Sequence, residues 1–241
     1  MISIIIPALN EEKYLSLLLE SIKRQSFSDY EIILADAGSK DKTLEIAKKY
    51  GCIVVSGGLP AKGRNEGAKA AKGEVLFFLD ADEILPDNSL GKILAEFNKR
   101  NLDIASFCLS TLPASKISSF VLNVFYNNPV ILLEKILPHA AMGILVKKDL
   151  FQKLNGFDEE IKLAEDMDLA RRAKNKFKAN FGIIRSVKIF ASDRRFKTDG
   201  WFSTGARYLL CEFHMIFIGP VKSDIFKYKF NHYKPKNETK N

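Results

Sequence analysis

Through the first hundred residues, short β-branched runs alternate with stretches in which apolar residues recur every three or four positions. Ile2–Ile6, apolar except for Ser3 and closed by Pro7, has the pattern of a strand buried on both faces. Asn10 then offers an N-cap, with Glu11 and Glu12 in the first turn and Leu15, Leu18, Leu19 and Ile22 as the core stripe of a helix. The pattern repeats: a strand over Tyr30–Ala35 ending at Asp36, a turn at Gly38, and a helix through Leu44 and Ala47 to Gly51. It continues with a strand over Cys52–Val55, a helix over 61–72, and a strand over Glu74–Leu79 that ends at Asp80-Ala81-Asp82. Such alternation predicts an α/β fold with a mainly parallel, Rossmann-like sheet flanked by helices. Ligands in sheets of this kind bind beyond the carboxyl ends of the strands, where Asp36, Asp80 and Asp82 fall.

The second half is less regular. It predicts strands over Asp103–Leu109, Met142–Val146 and Ile183–Ala191, and helices over Asp149–Leu154 and Ala164–Asn175. Residues 114–138 read as helix, turn and helix around Asn127-Asn128-Pro129. No repeat or linker divides the chain. The expectation is one domain over 1–230, read in two halves at 1–110 and 111–230, with a polar tail from 231.

Composition changes this picture only in places. With 241 residues, 46% hydrophobic and 27% charged, the chain is an ordinary globule rather than a disordered or stapled one. Its formal charge is +8, and residues 162–207 hold 12 basic against 5 acidic side chains. That patch points to an anionic partner: phosphate, nucleic acid or an acidic membrane surface. Three scattered cysteines argue against disulfides and structural zinc. No signal-peptide pattern opens the chain, and the apolar stretches fall short of the ~20 residues of a membrane span. The expectation is a cytoplasmic protein, with peripheral contact at the inner face of the membrane as an open alternative. A basic stretch followed by Trp201, Phe202, Leu209, Leu210, Phe213 and Phe217 suits an interfacial anchor, and equally suits core packing.

Asp80 and Asp82 would repel one another unless a divalent cation or open solvent lies between them, so they are metal candidates as well as an ordinary polar turn. Asp36 is placed for a ribose or base contact, whereas Ser39 and Asp41 read as helix caps. Arg64, at the start of its helix, could meet a base or diphosphate. Glu165-Asp166 opens a helix, where acids often serve only the dipole. Arg194, Arg195 and Trp201 suit phosphate gripping, although an exposed basic loop has the same composition. His139, beside Pro138 and Gly143, is a candidate border of a pocket. There is no nucleophile elbow, Walker lysine loop or Cys/His pair.

In order, SIIIPALNEEKYLSLLLESI, EIILADAGSKDKTLEIAKKYG, GRNEGAKAAKGEVLFFLDADEILPDNSL and MGILVKKDLFQKLNGFDEEIKLAEDMDLARRA resemble the family 2 glycosyltransferases. That resemblance implies a GT-A fold and inverting transfer from a UDP- or GDP-sugar, with Mn²⁺ or Mg²⁺ as cofactor. It implies a glycan or lipid-linked acceptor in cell-envelope synthesis and no nucleic acid. Pro7, Ala8, Asn10 and Glu11 match the loop lining the nucleotide pocket. Asp36 matches the first acid of the family's D-D-G-S turn, with Ala37 in place of the second. Arg64 matches the A-R-N arginine, with Gly63 in place of the alanine. Asp80 and Asp82 match the metal-binding D-x-D, with Ala81 in the same nucleotide-binding turn. Asp166 matches the catalytic base, preceded by Glu165, and is expected to be held ionised by the helix dipole and neighbouring cations. Arg194, Arg195 and Trp201 loosely match the Q-x-x-R-W segment of polymerising members and, with His139, are weaker acceptor or diphosphate candidates. A sugar nucleotidylyltransferase would carry a glycine-rich loop where this chain has PALNEE. A non-catalytic basic binding protein would show aromatic residues interleaved with basic ones along a strand.

Overall fold

The computed structural model describes residues 1–112, 120, 122–140, 142–192, 194, 200–223 and 225–226. Seven strands form one sheet in the order β3-β2-β1-β4-β8-β6-β9. They are β1 (Ile2–Ala8), β2 (Tyr30–Asp36), β3 (Ile53–Ser56), β4 (Val75–Phe78), β6 (Ile104–Phe107), β8 (Ile144–Lys147) and β9 (Phe181–Ile184). β8 runs antiparallel to both β4 and β6, and every other pairing in this sheet is parallel. A second sheet, β5-β10-β7, joins β5 (Glu83–Ile84), β10 (Phe190–Ser192) and β7 (Thr111–Leu112).

The large sheet is buried on both faces because successive side chains of a strand point in opposite directions. Ile2, Ile4 and Ile6 pack with Leu15, Leu18, Leu19 and Ile22 of α1 (Leu15–Lys23), Ala47 of α2 (Thr43–Lys49) and Phe97 of α4 (Leu90–Lys99). Ile5 faces the other core, with Ala61 and Ala68 of α3 (Pro60–Ala70), Phe151 of α6 (Lys148–Lys153) and Leu169 and Ala173 of α7 (Glu165–Phe177). The remaining helices are α5 (Asn128–Leu133), preceded by a π-helical turn over Asn123–Asn127, and α8 (Trp201–Phe217).

Four expectations need correction. Asn10 does not cap α1, which starts five residues later. It adopts φ 55° and bonds to the loop after β2 instead. The strand–helix alternation omitted α4. Asn127-Asn128-Pro129 is not a turn, because the backbone stays helical through it, from the π-helical turn Asn123–Asn127 straight into α5. Asn127 is buried and uses its amide to hold Leu109 N and O at 2.9 and 3.1 Å. The expected strand over Ile183–Ala191 is two strands in different sheets, β9 and β10. Of residues 114–121 only Phe120 lies among those described, and the polar tail lies outside them.

Candidate active site

Three strand ends and two helix starts converge on one edge of the sheet. The loop after β1 is stitched to the turn after β2. Asn10 N donates to Ser39 Oγ at 2.9 Å, Lys40 N to Asn10 Oδ1 at 2.8 Å, and Glu11 N to Thr43 Oγ1 at 2.8 Å. Ser39 therefore caps no helix, its hydroxyl being taken by Asn10 N, whereas Asp41 accepts from Thr43 N at the start of α2 at 3.0 Å and from Glu12 N at 3.0 Å. Pro7 and Ala8 end β1, and Gly63 lets α3 press on Pro7, since a Cβ there would sit 3.2 Å from Pro7 Cβ. Asp36 ends β2. Its Oδ2 accepts from Gly38 N and Ser39 N at 2.9 and 3.0 Å, while its buried Oδ1 has no protein partner. A buried acceptor left unpaired is unfavourable, so this oxygen is suited to a donor group on a ligand.

Arg64 is the hub. It is 5% exposed, and its Nη1 reaches Glu165 Oε1 at 2.5 Å and Asp166 Oδ1 at 3.0 Å, while Nη2 reaches Asp80 Oδ1 at 2.8 Å. Its guanidinium lies 5.5 Å from the Phe157 ring centroid. The planar fork is what allows one cation to serve three carboxylates from β4 and α7. Its proton affinity rises: the neighbouring acids Asp166, Asp80 and Glu165 outweigh the opposing effect of burial. An open cleft lined by Arg64, Asp80, Gly143 and Asp166 among others lies over this cluster.

Ala164, at φ 65°, turns the chain into α7 and delivers Glu165 and Asp166 to Arg64. Asp166 keeps a quarter of its side-chain surface open. Its pKa is raised to about 7, by burial first and then by Glu165 and Asp80, against the pull of Arg64. The expectation of a firmly ionised Asp166 is therefore corrected, because desolvation outweighs the single cation beside it.

Asp82 faces a different cation. Its Oδ2 accepts from Ser192 Oγ at 2.7 Å and lies 3.0 Å from Arg194 Nε. Arg194 also binds Glu11 with both terminal nitrogens at 2.8 Å and stacks 5.0 Å from the Tyr14 ring centroid. Burial first, and then Asp82 and Asp80, raise the Glu11 pKa against the pull of Arg194. Ala81 sends its side chain into the core. Two contributors escaped the sequence reading. Tyr14 supplies the platform for Arg194. Glu83 is buried and accepts from Asp80 N at 3.0 Å, with its pKa held well above the usual carboxylate range by burial and by Asp80 and Asp82. The signal for Glu83 was an acid one residue beyond D-x-D.

His139 is not brought to this cluster. Its Nε2 is 2.5 Å from the Tyr126 hydroxyl and its Nδ1 3.3 Å from Glu212 Oε2. Arg195 lies outside the described residues, and Trp201 is described only as the first backbone position of α8. Among the described residues no three His, Cys, Asp or Glu side chains gather as a complete metal cage. Asp80 and Asp82 still fit a hard cation whose remaining ligands are substrate phosphates and water, since magnesium-type sites often use only one or two carboxylates.

Residues 3–111 match the family model described as Glycosyl transferase family 2. The chain is 31% identical over 186 residues to an uncharacterized glycosyltransferase, EpsJ, of Bacillus subtilis, covering 69% of this chain and 54% of that protein. It is 32% identical over 112 residues to the Staphylococcus aureus poly(ribitol-phosphate) beta-N-acetylglucosaminyltransferase TarS, covering 42% of this chain and 20% of TarS. The chain thus spans about half or less of the length of these relatives. The structure of TarS 1–349 in complex with UDP-GlcNAc superposes with a TM-score of 0.63 at 24% identity, over 79% of this chain and 58% of that one. Mannosyltransferase PcManGT from Pyrobaculum calidifontis, in complex with GDP-Man and Mn2+, gives 0.72 at 18% identity over 94% and 66%. These likenesses identify the fold as GT-A, a mainly parallel sheet between helices.

Proposed function

We propose, from the match of residues 3–111 to the family model described as Glycosyl transferase family 2, that this chain moves a sugar from a nucleoside diphosphate sugar to a hydroxyl or lipid-phosphate acceptor, with inversion. The observation that carries the reading is the junction at Arg64. It holds Asp166, from the second half of the chain, beside Asp80 at the end of β4, across an open cleft. An inverting displacement needs a base on the acceptor side and charge stabilisation on the leaving-group side, and no enzyme nucleophile.

In this reading Asp166 Oδ takes the proton of the acceptor hydroxyl as that oxygen attacks the anomeric carbon. A carboxylate with a pKa of about 7 is suited to that task, since it is ionised in part at neutral pH and basic enough to accept. Arg64 fixes its orientation, and Glu165 shares the same guanidinium. Asp36 Oδ1 would accept from a ribose hydroxyl or a base N–H of the donor. Pro7, Ala8, Asn10, Glu11 and the turn at Asp80-Ala81 would line the nucleotide pocket. Asp80 and Asp82 would hold Mn²⁺ or Mg²⁺, which when bound neutralises the diphosphate. Arg194 is placed to meet the same phosphates. The UDP-GlcNAc and GDP-Man complexes of the neighbouring folds favour a UDP- or GDP-sugar, with Mn²⁺ as the metal in the latter. The poly(ribitol-phosphate) acceptor in the TarS name favours a cell-envelope glycan or glycolipid. The exposed apolar side of α8 supports peripheral contact with a membrane that presents such an acceptor.

Calorimetric titration of UDP and GDP, with Mn²⁺ and then with EDTA, tests the donor side. Binding should require Mn²⁺ and be lost in Asp82→Ala; equal affinity in EDTA overturns the metal assignment. NMR of the glycoside product reads the anomeric configuration directly.

A further inference from the structure

We propose that α8, together with α5 and the turn after it, seats this protein on an anionic lipid surface through the side chains that α8 leaves unburied. α8 is apolar on two opposite sides. Cys211 and Met215 are buried against Leu163, Met167 and Val221. Leu209, Leu210, Phe213 and Phe217 follow the helical three-to-four spacing on the other side and are 63%, 59%, 59% and 76% exposed. The Phe213 and Phe217 rings stack at 6.1 Å, so the exposed side carries a preformed aromatic pair. A helix that has already met its protein core does not need this second stripe for folding. Apolar side chains concentrated in this way mark a docking surface.

The adjoining element extends it. Leu132 and Ile136, on α5 and the turn after it, are 81% and 74% exposed. Tyr126, just before α5, bonds to His139, and His139 faces Glu212 of α8, so the two segments are neighbours.

The charge around this surface selects the occupant. Glu212 is the one acid of α8, and it turns inward to Arg171 at 2.6 Å and to His139. Lys135, between Leu132 and Ile136, donates to Asn180 Oδ1 at 2.6 Å and to the Phe181 carbonyl at 3.1 Å, and the Lys174 ammonium rests on the Lys135 carbonyl, so both are engaged within the fold. Exposed Lys176 and Lys178 follow at the carboxyl end of α7. Cations beside an apolar stripe match phosphate headgroups above acyl chains. A second copy of a +8 chain would bring the same cations face to face. The basic run noted in the sequence does not itself make the anchor: Arg171, Arg172 and Arg194 are bound to Glu212, Asp168 and Glu11 within the fold. No helix among the described residues is long and apolar enough to cross a membrane, so the contact is a seat rather than a span. Met215 packs on Leu163, just before α7 delivers Asp166. The seat therefore lies along the helix pair that carries the proposed base, which links it to a lipid-borne acceptor if the transfer reading holds.

The test uses the full chain and vesicles of phosphatidylcholine, alone or mixed with phosphatidylglycerol, without donor or acceptor. The protein should pellet with the mixed vesicles at low salt, at least roughly tenfold more weakly with the neutral ones, and be released by added salt. The double variant Phe213→Ser/Phe217→Ser should lose the mixed-vesicle binding, and Lys176→Glu/Lys178→Glu should weaken it. Both should keep the far-UV spectrum and the thermal midpoint of the parent, which shows that they fold. The proposal is overturned by no pelleting with either vesicle, or by unchanged pelleting of the aromatic variant. A dimer in sedimentation velocity that the aromatic variant abolishes also overturns it, because the occupant would then be a second copy. None of these readings involves sugar transfer, so failure here leaves the transfer proposal standing, and the reverse also holds.

Discussion

Arg64 holds the site's electrostatics in a single side chain, and it is the residue whose loss should be felt most. Removing it leaves Asp80, Glu165 and Asp166 facing one another without a cation. Breaking a buried ionic cluster by deleting one partner typically destabilises by about 3–5 kcal/mol. Arg64→Met should show a loss of that size in urea unfolding, and Arg64→Lys should recover only part of it, because an ammonium lacks the fork. A variant as stable as the parent would mean that the cluster relaxes into solvent. Asp166 gives a pH signature. Its folded-state pKa is raised from 3.8 to about 7, so the protonated form favours the native state. That contribution is complete below about pH 4 and is lost as pH rises to about 7, at up to about 1.4 kcal/mol per unit. Asp166→Asn lacks the titration and should gain stability relative to the parent between pH 4.5 and 8. A constant difference across that window would place the titration elsewhere. If Asp166 is the base, the same substitution should lower turnover by roughly 10²–10⁴ with nucleotide affinity little changed. Near-normal turnover would remove it from the mechanism. The acids Asp36, Asp80, Asp82 and Asp166 were legible because strand ends and a helix start announce them. Arg64 and Arg194 were candidates as well, but their pairing with these acids was not legible, since Arg64 and Asp166 lie 102 positions apart.

At the scale of elements, the fold was legible wherever one periodicity ran unbroken. Ile2–Ile6, except for Ser3, and Val75–Phe78 are apolar because both faces of the sheet are covered, and that pattern survives in the linear sequence. It fails where tertiary contacts override local signals. Asn127-Asn128-Pro129 has turn composition, yet the Asn127 amide is engaged by Leu109 and the helix continues. Asn10 has cap composition, yet the neighbouring turn at Ser39 and Lys40 claims it. Glycines show the same competition. Gly67 weakens the intrinsic helicity of α3, but a Cβ there would land on Ile5 Cγ2 of β1. Close helix-to-sheet approach is thus worth more than propensity at this position. Gly67→Ala should destabilise by about 1–3 kcal/mol despite its better helix propensity. Gly91→Ala in α4, where a Cβ meets nothing within 4 Å, should instead be neutral or stabilising. Matched thermal melts compare them, and equal shifts would refute the packing argument.

For the whole molecule, residues 1–110 and 111–230 build one sheet together. β8 from the second half inserts between β4 and β6, and β9 completes the far edge. The candidate site is shared in the same way, with Arg64 and Asp80 from one half and Glu165 and Asp166 from the other. Residues in one sheet and one ionic cluster should unfold together, so we propose a single cooperative unit over 1–230. Thermal unfolding followed by near-UV and far-UV signals should then show one coincident transition. A nucleoside diphosphate with Mn²⁺, at about a hundredfold its dissociation constant, should stabilise the fold by ~2.7 kcal/mol. For a chain of this size each kcal/mol raises the midpoint by roughly 2–4 °C. The entire transition should move, and EDTA should return it to the ligand-free position. Two separate transitions, with only the earlier or the later one responding to nucleotide, would show instead that the halves fold apart and that Arg64 joins them without coupling them.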